Sequence, residues 1–146
     1  SLFEAGTRVP FISYWKGKIE PKVSDAMVSQ VDFLASIGKL VGSKVQGKDS
    51  QDLLPALMGQ SPEGRENLVI QATGRTALRQ GDWVLIPPYE GSPISRNVNI
   101  ETGNDSVYQL YNLKTDLGQQ QNLAESESEK LEEMKKLYQA IKGSGD

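Results

Sequence analysis

Three short runs of strand-forming residues in the middle of the chain constrain its fold most. They read NLVIQA (67–72), TALRQ (76–80) and WVLIPP (83–88), and only Gly74 and the pair Gly81-Asp82 punctuate them. Short connections of this kind join antiparallel strands, so the pattern predicts a meander. VYQLYNL (107–113) resumes the sheet after Pro87 to Ser106, a stretch of about twenty residues that predicts a polar loop without structure of its own.

A helix is predicted on each side of these strands. Ser29 with Asp32, and Ser126 with Glu129, have the spacing of capping boxes. Gly42 and Gly143 can end the two helices. Apolar residues follow at helical spacing in both, namely Phe33, Leu34, Ile37, Leu40 and Val41 in the first, and Leu131, Met134, Leu137, Tyr138 and Ile141 in the second.

The segment from Val9 to Trp15 precedes the first helix. It is β-branched, aromatic and mostly apolar, which predicts a strand buried on both faces, although Pro10 suits only the first residues of a strand. A strand, a connection and a helix together are typical of an α/β layer.

The composition excludes several classes of function. The 146 residues include 16 basic and 19 acidic ones, spread along the chain, which argues against a nucleic-acid-binding surface. No apolar run is long enough to cross a membrane. Because the sequence has neither His nor Cys, chemistry here would depend on Asp, Glu, Lys, Tyr or Ser, and the chain by itself is a poor candidate for an enzyme.

Candidate sites read from the residues alone are weak. Asp49 and Asp52 could ligate a metal ion, but a solvated turn is favoured because the alternating ligand pattern of a calcium loop is missing. The segment IETGND (100–105) could bind an anion, but a plain turn is favoured. Stacking on sugars is less favoured than packing for the aromatic residues Trp15, Trp83, Tyr89, Tyr108 and Tyr111.

Glu4 and Arg8 lie in a Gly-containing turn directly before the predicted strand. This turn would enter the amino end of that strand, whereas ligands of open α/β sheets bind at the carboxyl ends. An ion pair that braces the turn is therefore the favoured interpretation.

Five segments in order resemble motifs of the formylglycine-dependent sulfatases of the arylsulfatase type. FEAGTRVPFISYWKGKI is similar to the family pattern YEGGxRVPxIxxWPGxI, with Ala5 for Gly and Lys16 for Pro. The others are SDAMVSQVDFLASIGKLVG, KDSQDLLPALMG, RTALRQGDWVLI and QLYNLKTDLGQQQNLAE. Together they cover most of residues 3–125.

The resemblance implies an α+β chain from the C-terminal part of a longer sulfatase. Residues 1–45 would be the last strand and helix of the large α/β catalytic domain, 46–65 a linker, and 66–146 a small domain. That small domain would be an antiparallel sheet of about four strands packed with the C-terminal helix. The parent catalytic domain would be the partner of this chain, and the parent would be periplasmic or secreted.

The resemblance places the catalyst outside this chain. The family uses formylglycine and a divalent cation, usually Ca²⁺, but no formylglycine, metal or His motif occurs here. The chain is expected to begin just after the last active-site lysine and to be inactive alone. It is expected to contribute a turn near the active site, with Glu4 and Arg8, and an edge of the substrate pocket, with Tyr89, Arg96 and Asn99.

Without the neighbouring parallel strands, residues 9–15 would expose apolar side chains, so the chain alone is expected to self-associate or to be disordered over residues 1–45. Two other interpretations stay open. One is a freestanding glycan-binding or interaction module, and the other is a piece of a phosphatase or phosphonate hydrolase relative.

Overall fold

The structure is a computed structural model that describes residues 1–45 and 47–143. These residues form two compact units. The first unit combines residues 1–9 with the chain from residue 67 onward, and the second comprises Pro10–Glu66. The predicted domain boundaries at residues 45 and 65 concern a longer protein and stay a prediction; position 46 and residues 144–146 lie outside the described residues.

The first unit contains the antiparallel sheet that the sequence predicts. Its strands are β1 (Asn67–Ala72), β2 (Arg75–Gln80), β3 (Trp83–Ile86) and, after two short strands described below, β6 (Gln109–Asn112). They pair in the order β1-β2-β3-β6, each antiparallel to the next. The expected α+β class, with four antiparallel strands and a C-terminal helix, is confirmed.

Turn chemistry explains why the strands pair in this register. Thr73 and Gly74, the two residues between β1 and β2, have φ angles of 51° and 77°. Two left-handed residues in succession give the hairpin turn whose twist matches that of the strands. Gly81 takes the same left-handed region (φ 55°) between β2 and β3.

The sheet is covered on both faces. The helix α3 (Ser128–Gly143) packs Met134 and Tyr138 against Leu78, Leu85 and Leu110 on one face, and all five are buried. The predicted stripe of α3 therefore faces this core. The opposite face buries Val84, Ile86 and Tyr111 together with Leu2 from the start of the chain.

The predicted capping box of α3 is wrong. The Ser126 hydroxyl donates to the Leu123 carbonyl at 3.3 Å, and the Glu127 N–H donates to the same carbonyl at 2.8 Å. These bonds close a turn over residues 124–127, so α3 begins two residues later, at Ser128.

The second unit contains α1 (Phe33–Leu40), which follows a 3-10 turn (Gln30–Asp32), and the short helix α2 (Leu54–Leu57). Gly42 ends α1 as predicted, with φ at +70°, and the Ser43 N–H donates to the Gly38 carbonyl at 2.8 Å. A glycine suits this left-handed position because it has no Cβ.

Asp32 is the buried centre of the second unit. Its carboxylate accepts two hydrogen bonds from the Arg65 guanidinium, at 2.5 and 2.8 Å. It also accepts the backbone N–H groups of Ser29 and Gln51, both at 3.0 Å. The predicted pairing of Ser29 with Asp32 is thus present, whereas the role of Arg65, 33 residues further along the chain, was not predicted.

The prediction of a strand from Val9 to Trp15 is wrong. Residues 9–15 pair with no strand in the described part of the chain, and Pro10 lacks an N–H to donate. Ile12 and Tyr14 are 88% and 81% exposed. The predicted exposure of apolar side chains in this segment is confirmed.

The loop from Pro87 to Ser106 is not structureless as predicted. It contains β4 (Ile94–Ser95) and β5 (Ile100–Glu101), which form a separate two-stranded hairpin. Tyr89 fixes the start of this segment, since its N–H donates to the Asp105 carbonyl at 2.8 Å. No helix in the described residues is long and apolar enough to cross a membrane.

Replacing Asp32 with Asn should lower the free energy of unfolding by about 3–5 kcal/mol, because Arg65 would be left buried without its carboxylate. Burial alone would raise the pKa of Asp32, but the hydrogen bonds from Arg65, Gln51 and Ser29 outweigh burial and lower that pKa below 3.8. The stabilisation is therefore complete above pH 3.8 and is lost as the pH falls through the lower folded-state value.

Urea unfolding of wild type and the Asp32→Asn variant between pH 2 and pH 7 measures this difference. Asp49→Asn, at an exposed side chain in the same unit, is the control and should change stability little. A difference that is constant over this pH range would contradict the role given to the Asp32 carboxylate.

The exposed apolar side chains lead us to expect that the chain alone self-associates. The double variant Ile12→Lys/Ile37→Lys should shift the sedimentation profile toward monomer. Each lysine places a charge on a surface that association would remove from water, and burying an unpaired charge is costly. Ile37 is 53% exposed on α1. Ile100→Lys, at a 52% exposed side chain on β5, is the matched control and should not change the profile. A wild-type chain that sediments as a single monomer at high concentration would contradict the expectation.

Candidate functional site

The opening turn of the chain is built around the carboxylate of Glu4. Residues Glu4–Gly6 form a 3-10 turn, and Glu4 is only 4% exposed. Its Oε1 accepts Nε of Arg8 at 2.6 Å and a terminal guanidinium nitrogen of Arg79 at 2.9 Å. The ion pair predicted between Glu4 and Arg8 is present, and Arg79 on β2 is a second partner.

The backbone of this turn is held as well. The Glu4 N–H donates to Oε1 of Gln119 at 2.5 Å, and Gln119 is buried with a left-handed backbone (φ 51°). The N–H of Leu2 donates to the Thr102 carbonyl at 3.0 Å. The turn therefore belongs to the sheet unit and is braced from three segments that are distant in sequence.

This arrangement limits what Glu4 can do chemically. Two guanidinium groups and burial leave its carboxylate engaged within this unit, where the group stabilises the turn. Arg8 differs from Arg79 because its side chain is 58% exposed, whereas that of Arg79 is 17% exposed. Of the two, Arg8 is the residue that can contact groups outside this unit.

Tyr89 lies in a cluster of hydroxyl groups at the base of the β4–β5 hairpin. Its hydroxyl donates to the Thr76 carbonyl at 2.7 Å and accepts the Thr76 N–H at 3.0 Å. The Tyr138 hydroxyl of α3 lies 2.5 Å from Oγ1 of Thr76. Burial raises the pKa of Tyr138 to about 12, so this hydroxyl stays protonated. Through these hydrogen bonds the cluster joins sheet, helix and hairpin.

Beside this cluster is an open cleft with a volume of about 740 Å³. One wall consists of residues 88–91 with Pro93, and the other of Asn104, Asp105 and Ser106. The bond between the Tyr89 N–H and the Asp105 carbonyl ties the two walls together. The Arg75 guanidinium lies 5.8 Å from the centre of the Tyr89 ring and donates to the Glu90 carbonyl at 2.5 Å.

The three residues predicted at the edge of a substrate pocket do not lie together. Tyr89 lines the cleft, whereas Arg96 and Asn99 lie between β4 and β5, at the tip of the hairpin, and both are exposed. Asn99 has a left-handed backbone (φ 49°), which the hairpin turn requires. Their role at a substrate pocket stays a prediction.

The described residues include no group of three or more His, Cys, Asp or Glu side chains that could hold a metal ion. In the segment that contains Asp49 and Asp52, the Asp49 carbonyl accepts from Arg65 at 2.5 Å, and Oδ1 of Asp52 accepts the Leu54 N–H at 3.1 Å. These contacts fit the favoured interpretation of this segment as a turn.

Sequence reasoning missed Arg79, Gln119 and Asn104. The partners of the first two are more than 70 positions away, at Glu4, and a periodicity cannot report contacts at that distance. Asn104 lay in the segment interpreted as a plain turn, yet it is buried. Its left-handed neighbour Gly103 (φ 85°) was the available signal.

We predict that Arg79→Ala lowers the free energy of unfolding by about 2 kcal/mol, since it leaves a buried carboxylate short of one donor. Arg8→Ala should cost under about 1 kcal/mol, because its partly exposed pair is screened by water. Chemical denaturation of both variants checks this order. An equal effect of the two, or a larger effect of Arg8→Ala, would show that Arg79 is not the main brace.

Comparison with known proteins gives a consistent set of relatives, although no family model matches the chain. An N-acetylgalactosamine-6-O-sulfatase of Bacteroides thetaiotaomicron is 35% identical over an alignment of 146 positions, which covers 97% of this chain and 29% of the relative. Arylsulfatase A of Bos taurus is 28% identical over 88% of this chain and 28% of that protein.

A solved structure from work on the metabolism of multiple glycosaminoglycans by Bacteroides thetaiotaomicron has the same fold. It matches with a TM-score of 0.92 at 34% identity, over 98% of this chain and 31% of that one. The chain thus spans less than a third of the length of these relatives.

Proposed function

We propose, from the premise that this chain belongs to the sulfatase family and corresponds to the C-terminal part of its members, that the longer protein hydrolyses sulfate esters of an aryl or glycan substrate. The observation that carries the proposal is the match to an N-acetylgalactosamine-6-O-sulfatase over 97% of this chain at 35% identity. In this proposal the chain supports the catalyst and does not perform the chemistry.

The residues of this chain do not fit the cofactors of the family. The sequence contains no Cys and no C/S-x-P-x-R motif, and the described residues offer no cluster for a cation. The formylglycine and the divalent cation, Ca²⁺ in most members, would therefore be held by the remainder of the protein. A periplasmic or secreted location is part of the same proposal.

The second unit carries a surface that suits a large protein partner. Phe11, Ile12, Tyr14 and Trp15 are all at least 43% exposed, and so are Leu34, Ile37 and Leu40 on the apolar stripe of α1. The two segments meet where the Phe11 ring lies 5.6 Å from the ring of Phe33, the first residue of α1, and exposed apolar patches mark interfaces. We propose that the catalytic domain of the longer protein covers it.

The opening turn has a defined role in this arrangement. The backbone of residues 2–8 is fixed against the sheet by Glu4, Arg79 and Gln119. Any segment that precedes the turn would therefore be joined to a backbone that is held in place. Arg8 stays available to contact the catalytic domain. The hairpin with Arg96 and Asn99 is the proposed pocket edge that selects substrates.

Kinetic assays on the longer protein test the proposal. We expect turnover of 4-nitrophenyl sulfate by the full protein and none by residues 1–146 alone, because the catalytic groups lie outside them. Replacing the formylglycine precursor with Ala should abolish turnover, and Asp82→Asn, at an exposed residue of the sheet unit, is the control.

The outcome that contradicts the proposal is a full protein that hydrolyses 4-nitrophenyl phosphate or a phosphonate ester but no sulfate. That result would place the chain with a phosphatase or phosphonate hydrolase relative.

A further inference from the structure

The edge strand β1 is unpaired on one side. The sheet order β1-β2-β3-β6 places β1 and β6 at the two edges, and β1 pairs only with β2 in the described part of the chain. We propose that β1 pairs with the β1 strand of a second copy of this protein, antiparallel, so that one sheet continues through both copies. This inference concerns assembly and does not depend on the reaction proposed above.

The register of the first hairpin determines which backbone groups of β1 face away from β2. Ala72 and Arg75 flank the two-residue turn and form its first bonded pair. Bonded and non-bonded pairs alternate along an antiparallel ladder, so Gln71 and Thr76 form a non-bonded pair. The Thr76 N–H and carbonyl both bond to the Tyr89 hydroxyl, which agrees with this alternation. Three residues of β1 thus direct their N–H and carbonyl groups away from β2, namely Asn67, Val69 and Gln71.

The opposite edge of the sheet is covered by the chain itself. On β6, the Leu110 N–H donates to Oδ1 of Asn122 at 3.0 Å, and the Leu110 carbonyl accepts the Leu123 N–H at 2.8 Å. Nδ2 of Asn122 also donates to the Tyr108 carbonyl at 3.0 Å. Among the described residues, no backbone group outside β2 bonds to β1. Because an open edge offers its backbone groups to another strand, β1 is the edge at which this sheet can be extended.

β1 also lacks the features that usually protect an edge strand. Natural edges carry charged side chains, proline or a bulge. The six residues of β1, NLVIQA, include no charged residue and no proline, although 24% of the chain is charged. Its register with β2 runs through all six residues without a bulge. An edge of this kind can pair along its whole length without burying a charge.

The sequence of β1 is complementary to itself. With Val69 of one copy opposite Val69 of the other, the outward-facing backbone groups meet as bonded pairs. In this register Asn67 lies opposite Gln71, and Leu68 lies opposite Ile70. Amide side chains then face amides and apolar side chains face apolar ones, with no like charges opposed. A twofold pairing closes the open edge in both copies at once, which favours a second copy over an unrelated strand.

The pairing would also extend the two cores of the sheet. Val69 packs against the core formed with α3, and Leu68 packs against the core that includes Leu2. Both side chains are only half-buried in one copy. A second β1 strand would cover more of their apolar surface, and removing that surface from water is favourable. Backbone bonds would set the register, and these side-chain contacts would add to the stability of the dimer.

Two oppositely charged variants test the pairing in the full protein. Asn67→Lys/Gln71→Lys and Asn67→Glu/Gln71→Glu each place like charges opposite each other twice in the dimer. Each variant alone should raise the dissociation constant of the dimer about tenfold, as measured by analytical ultracentrifugation. An equimolar mixture of the two should dimerise about as tightly as wild type, because opposite charges then face each other. Effects within one copy are the same alone and in the mixture, so the mixture isolates the contact between copies.

A matched control places the same added charge elsewhere. Val107→Lys/Leu117→Lys changes two side chains of the sheet unit that are 53% and 58% exposed, and it should leave the dissociation constant unchanged. Hydrogen exchange locates the contact in wild type. The Val69 and Gln71 amides should exchange at least about tenfold more slowly at concentrations where the dimer forms, because their N–H groups would then be bonded.

Three results would overturn the inference: a full protein that stays monomeric at high concentration, a dimer whose dissociation constant neither charged variant changes, or a mixture that dimerises no better than each variant alone. A monomer whose Val69 and Gln71 amides are nevertheless protected would show that another segment of the longer protein covers the edge, and it would overturn the inference as well.

Discussion

A buried carboxylate must be matched by donors, and that constraint organises both units of this chain. The Asp32 carboxylate accepts hydrogen bonds from Arg65 and from two backbone N–H groups. These bonds join the start of α1 to the segments around residues 51 and 65. The Glu4 carboxylate forms ion pairs with Arg8 and Arg79, and the pair with Arg79 fixes the opening turn to β2. In each case a single acid determines where a segment without regular secondary structure must lie.

The local features of the fold could be predicted from the sequence because they depend on neighbours. The strands of the sheet follow from β-branched runs between left-handed glycines, and α3 follows from a stripe that Leu78, Leu85 and Leu110 cover. The pairing of Ser29 with Asp32 was predictable for the same reason. Periodicity identifies the apolar side of a helix, and in α3 that side is buried, whereas in α1 the apolar residues Leu34, Ile37 and Leu40 are exposed.

What could not be predicted depends on distant or absent partners. Val9 to Trp15 has the composition of a buried strand, but a strand forms only beside another strand, and the described residues supply none for it. Arg79 and Gln119 look ordinary in sequence and are recognised only when Glu4 lies beside them. The short β4–β5 hairpin was missed because two-residue strands leave no detectable alternation.

These observations give the chain a supporting role in the proposed enzyme. The sheet unit holds a rigid turn and a preformed cleft, and the second unit offers an apolar surface for a larger domain. The sequence contains no His, no Cys and no C/S-x-P-x-R motif. Catalysis and recognition would then be divided, with the chemistry upstream and part of the glycan selection here.

The most direct test has two steps. The full reading frame is sequenced to give the residues upstream of Ser1, and the purified full protein is then labelled with a hydrazide probe for aldehydes. The sulfatase proposal predicts a C/S-x-P-x-R motif whose first residue carries the label as formylglycine. A full reading frame without that motif, or a motif whose Cys or Ser remains unmodified in an active protein, would contradict it.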